Sequence, residues 1–173
     1  MPSIVVLSGP VGAGKSTASK ALIAQTSHPC ICIEGDTFWS FIANPSLDQP
    51  AHKRFQMTMR AMLAAAVPYA ASKYETIIDF SIPPWFLDTA RDIATFRGAT
   101  LHYVVLLPPE EICARRAATR SEGTIADYTP YSELYADFLK AGPAHILEPD
   151  PDDPVETARR IRQGLTEGRF IVA

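Results

Sequence analysis

The chain has 173 residues, 47% of them hydrophobic and 20% charged. That size suits a single domain with a core of its own, and the composition excludes general disorder. A formal net charge of −3 argues against a protein that lives on nucleic acid or an anionic membrane surface.

The N-terminus runs directly into Ile4, Val5, Val6 and Leu7 with no basic stretch ahead of an apolar one, so no secretory leader is expected. Residues 4–7 predict a first strand. Next comes Gly9-Pro10-Val11-Gly12-Ala13-Gly14-Lys15-Ser16, followed by Thr17. It fills G-x-x-x-x-G-K-[ST] between an apolar strand and a helix predicted over 15–26, the setting a phosphate-binding loop requires. Glycines let successive N–H groups converge on phosphate oxygens, and the helix start adds the positive end of its dipole. Lys15 is expected to reach the β- and γ-phosphates, and the Ser16 hydroxyl to ligate Mg²⁺.

A second strand is predicted over 30–33, ending beside Glu34, Gly35 and Asp36. Cys30, Cys32 and Cys113 accompany no His or Cys cluster at ligand spacing and are expected as buried free thiols in a reducing cytosol. Asp36 lies where α/β sheets bind ligands, outside the carboxyl ends of the strands; it also suits the cap of a short helix from Thr37.

A long helix over 49–73 follows, with Arg54 and Arg60 as candidate acceptor-binding groups. Its apolar stretch is interrupted by Pro68 and is too short to span a bilayer. A third strand over 76–80 carries Asp79, placed either to support Mg²⁺ or to bond to loop amides. Then come a helix over 84–97, a strand over 101–107 and a helix over 109–121 with Arg116 and Arg120 one turn apart. By themselves, two arginines on one helix face read as a solvated basic face. Residues 121–129 read as a lid, within a lid region of about 120–130, and a helix is predicted over 131–140. A last strand over 144–147, an acidic proline-rich loop and a helix over 154–167 close the chain. Prolines at or beside several helix starts (Pro84, Pro109, Pro130, Pro154) fit this division. The series is β-α-β, an α/β protein in one domain over 1–173, expected to be cytoplasmic.

These landmarks, in this order, resemble the small P-loop kinases: the nucleoside-monophosphate, shikimate, gluconate and chloramphenicol phosphotransferase group. The resemblance covers nearly the whole chain. It implies a three-layer P-loop sandwich with a five-stranded parallel sheet in the order 2-3-1-4-5, a short lid, and transfer of the ATP γ-phosphate to a small acceptor. It makes Asp36 the group that meets the accepting hydroxyl, and Arg116 and Arg120 the arginines that close over the phosphates. Nucleoside-monophosphate kinases follow the third strand with Gly-Phe-Pro-Arg; here Phe80-Ser81-Ile82-Pro83 stands instead. The expected activity is therefore a phosphotransferase using ATP and Mg²⁺, with a hydroxyl metabolite ahead of a nucleoside monophosphate. An ATP-binding regulator with no metabolite acceptor is the reading from another class.

Overall fold

The computed structural model describes residues 2–43, 50–120, 123–150 and 152–173. Strands β1 (Ser3–Ser8), β2 (Cys30–Glu34), β3 (Glu75–Asp79), β4 (Thr100–Leu106) and β5 (Ile146–Leu147) form one parallel sheet. Their order is β2-β3-β1-β4-β5, the order the resemblance implied. The helices are α1 (Lys15–Ala24), α2 (Gly35–Ser40), α3 (Ala51–Ala71), α4 (Leu87–Thr95), α5 (Glu110–Ala118), α6 (Thr129–Phe138) and α7 (Pro154–Thr166).

The apolar runs become strands because the sheet is covered on both faces. Along β1, Ile4 and Val6 enter the core beneath α3 and α4, whereas Val5 and Leu7 enter the core beneath α1 and α7. Successive side chains of a strand point to opposite faces, so a strand with no polar face is buried on both. Among the described residues, no helix is long and apolar enough to cross a membrane.

Several boundaries differ from expectation. The helix expected over 84–97 is a 3-10 turn (Pro84–Phe86) followed by α4. The helix expected over 109–121 stops at Ala118, with Thr119 at its C-cap donating its hydroxyl to the carbonyls of Arg115 and Arg116. The last strand is two residues rather than four: His145 N–H closes a turn onto Gly142 O just before it. Residue 49, the expected start of the long helix, and residues 121 and 122 of the expected lid lie outside the described residues. Of the three free cysteines only Cys113 is buried. Cys30 and Cys32 are half-buried because β2 is the edge of the sheet.

The loop after β3 is fixed to the phosphate-loop strand. The Ser8 hydroxyl donates to Ile82 O at 2.8 Å and accepts from Ile82 N at 2.8 Å. The Tyr103 hydroxyl, from β4, donates to the same carbonyl at 2.6 Å. All three residues are buried, so each polar group has its partner away from water.

Candidate active site

Residues 9–17 connect β1 to α1 in the conformation the glycines permit. Gly9, Gly12 and Gly14 have φ of 137°, 83° and 94°. Gly14 caps α1 without any side-chain hydrogen bond, leaving the first-turn amides of the helix to a ligand. Lys15 folds back over its own loop, its Nζ donating to Gly9 O at 3.1 Å and Pro10 O at 2.9 Å. Burial lowers the pKa of Lys15; Asp79 and then Asp36 oppose that, and Arg120 adds to it. These four charged groups therefore share one field. A polyphosphate entering it would restore the full charge of Lys15.

Asp79 ends β3 in register with Leu7 of β1 and Glu34 of β2. It is buried and accepts a hydrogen bond from Ser19 Oγ at 3.2 Å, and the Ser16 hydroxyl lies near enough to help stabilise its charged form. Burial raises its pKa, and neither Lys15 nor the two serines reverses the shift. Two hard oxygen donors, the Ser16 hydroxyl and a carboxylate short of compensating charge, thus sit side by side below the phosphate loop. This donor set fits Mg²⁺. Among the described residues, no three His, Cys, Asp or Glu side chains converge to hold a metal by themselves. An ion here would draw its remaining ligands from phosphate and water.

The charged form of Asp79 is the disfavoured one in the folded chain. Between the ordinary carboxylate pKa and the raised one, the folded state binds more protons than the unfolded state, so stability falls as pH rises through that window. Asp79→Asn removes this titrating group and is expected to abolish its share of the fall in melting temperature across that window. The same change should lower Mg²⁺-dependent nucleotide affinity. Thermal melts across that window, with and without Mg·ATP, check both.

Asp36 lies in the first turn of α2 and is exposed. It does not cap that helix: Glu34 occupies the cap position, and no side chain bonds there. Its negative charge favours the charged form of Lys15. Arg116, half-buried, brings Nη1 to 3.6 Å from where a β-carbon on Gly14 would stand. Arg120 lies beyond the end of α5 and is not one helical turn from Arg116, yet its charge still acts on Lys15. The following loop is folded back by Thr124 Oγ1 donating to Arg120 O and Ile125 N donating to Ala117 O.

Arg54 lies in the first turn of α3 and is half-buried. Arg60 is carried elsewhere: its guanidinium lies 5.9 Å over the Phe86 ring. It borders a groove between α3 and α4 with Ala64, Val67 and Ile93, none of them from the phosphate loop. A cleft of about 210 Å³ runs from Ala13, Gly14 and Thr17 past Arg116 to Pro149, Asp150 and Thr157. It has the position and size for the base end of a nucleotide whose phosphates lie on residues 9–17.

Sequence reasoning missed Ser8, Ser19 and Tyr128. Ser19 sits one turn beyond Ser16, and that spacing was a usable signal. Tyr128 gave none: its hydroxyl donates to Val11 O at 2.7 Å across 117 positions of sequence.

A family model described as an AAA domain matches residues 4–134, from β1 into α6. The chain belongs to this family. Its AAA domain has the fold of the small P-loop kinases. An APS kinase of Mycobacterium tuberculosis, in complex with AMPPNP and APS, matches with TM-score 0.74 at 17% identity, over 95% of this chain and 97% of that one. A sugar kinase from Janibacter sp. HTCC2649 matches with TM-score 0.70 at 18% identity, over 96% and 95% of the two chains. A gluconokinase from Sinorhizobium meliloti 1021 matches with TM-score 0.57 at 22% identity, over 97% and 94%. No curated protein matches this chain.

Proposed function

We propose that this protein is a cytoplasmic kinase that moves the γ-phosphate of Mg·ATP to a hydroxyl of a small metabolite. The observation that carries the reading is Asp36: a carboxylate on the acceptor side of the sheet, unused as a helix cap, in the field of the phosphate-loop lysine. The base cleft beside Gly14 and Thr17 and the kinase fold support it. The free thiols suit a reducing compartment.

In this reading the ATP phosphates lie on residues 9–17. Ser16 and Asp79 hold Mg²⁺, which neutralises charge on the β- and γ-phosphates. Asp36 accepts the proton of the acceptor hydroxyl as its oxygen bonds to the γ-phosphorus. The bond from that phosphorus to the β,γ-bridging oxygen breaks, and ADP leaves with the electron pair. Lys15, Arg116 and Arg120 offset the charge spread over the transferring group. Arg54, in the first turn of α3, is read as an acceptor-binding group. A nucleoside-monophosphate acceptor is disfavoured by the segment after β3, where Ile82 is tied down by Ser8 and Tyr103 and no arginine follows the strand.

The test is ADP formation from Mg·ATP with a pool of hydroxyl metabolites and, separately, a pool of nucleoside monophosphates. Turnover is expected in the first pool and not the second, and Lys15→Ala should abolish it. Turnover confined to monophosphates would replace the acceptor assignment. Tight ATP binding with turnover in neither pool would make the protein a nucleotide-responsive regulator.

A further inference from the structure

Three successive carbonyls of the phosphate loop are held by side chains. Lys15 takes Gly9 O and Pro10 O, and Tyr128 takes Val11 O at 2.7 Å. The first two contacts come from the loop's own lysine. The third comes from the residue just before α6, on the far side of the arginine-bearing segment. A trans peptide is planar, with its C=O and N–H pointing in opposite directions. Whatever holds Val11 O therefore also aims the N–H of Gly12. Among the described residues, that N–H donates to no backbone carbonyl. The other side of Gly12 is closed, since a β-carbon there would run into the carbonyl of Cys113 in α5.

Resting on the reading that ATP phosphates lie on residues 9–17, we propose that Tyr128 is a positioning residue for nucleotide binding. Its hydroxyl fixes the Val11–Gly12 peptide so that the Gly12 N–H faces the phosphate chain. It also keeps a carbonyl oxygen, which phosphate would repel, turned away from the ligand. Tyr128 touches no substrate atom in this role; it acts through Gly12. The contact gives the segment before α6 a direct hold on the loop that grips the nucleotide.

The test is Tyr128→Phe, which deletes the one oxygen and keeps the ring that packs 5.7 Å from Tyr131. Tyr135→Phe is the matched control: its hydroxyl also donates to a backbone carbonyl, Pro108 O at 3.0 Å, but outside the phosphate loop. Affinity for ATP and ADP is read by calorimetry, affinity for adenosine by NMR titration, and folding by thermal melts. Tyr128→Phe should weaken ATP and ADP by about 3- to 10-fold, the effect of one backbone-directing hydrogen bond, and leave adenosine unchanged. Tyr135→Phe should leave all three unchanged. Equal ATP affinity in Tyr128→Phe and wild type overturns the inference alone. So does an equal loss for ATP and adenosine, which would make the effect a general loosening of the fold. A wild-type chain that binds neither ATP nor ADP overturns the underlying reading and the inference with it.

Discussion

Asp36→Asn should reduce kcat by about 10²–10⁴-fold while changing ATP affinity by less than about twofold. The substitution keeps the shape of the side chain and removes its ability to take a proton. Helix α2 does not depend on that carboxylate, because the cap position belongs to Glu34 and carries no side-chain bond. The loss would therefore report chemistry rather than folding. Steady-state rates in the acceptor pool that supports turnover, with ATP titrations on both proteins, measure each quantity. Unchanged turnover in Asp36→Asn would remove the base from the mechanism and leave positioning and charge neutralisation as the whole of it.

Gly12→Ala should be the most damaging small change in the phosphate loop. A β-carbon there would lie 2.2 Å from Cys113 O and 2.9 Å from its carbonyl carbon, and φ is 83°. The obstructing atoms are helix backbone, so they have little freedom to give way. Left-handed strain and overpacking together are worth about 2–5 kcal/mol, or roughly a 5–15 °C loss in melting temperature for a chain of this size. Nucleotide binding should fall by more than about tenfold, because the peptide that Tyr128 and Cys113 hold between them is displaced. Gly98→Ala separates strain from clash: φ is 73° there, and nothing lies within 4 Å of the added carbon. It should cost only about 1–2 kcal/mol and leave nucleotide affinity intact. Equal losses in the two variants would mean that contact with α5 contributes nothing to the loop.

The sheet was legible because its strands are buried on both faces. Ile4 to Leu7 and Val104 to Leu106 leave no polar side to display, and short apolar runs between amphipathic stretches follow from that. The phosphate loop was legible because its glycines and its lysine answer to local geometry. Where competition is local but subtle, the reading slipped. Helix α5 ends before Arg120, with Thr119 at its C-cap, although the pattern of arginines suggested another turn. Arg60 looked like an acceptor group on a long helix, yet the face it occupies turns it towards Phe86. The bonds of Ser8 and Tyr128 join residues 74 and 117 positions apart, and no periodicity encodes such a pair.

The Ser8–Ile82–Tyr103 junction fixes the frame in which any reaction here takes place. It ties the end of β1, the loop beyond β3 and the middle of the neighbouring β4 through three buried hydroxyl contacts. In the function proposed above, the donor cradle and the segment beyond β3 on the acceptor side are therefore tied together by buried hydrogen bonds. On that reading, rearrangement on binding is expected of elements outside the junction, such as α2 with its aspartate and α5 with Arg116. Altering acceptor choice by substitution would be better aimed at those elements. Changes to the stretch from Ile82 to Phe86 would disturb the donor cradle at the same time.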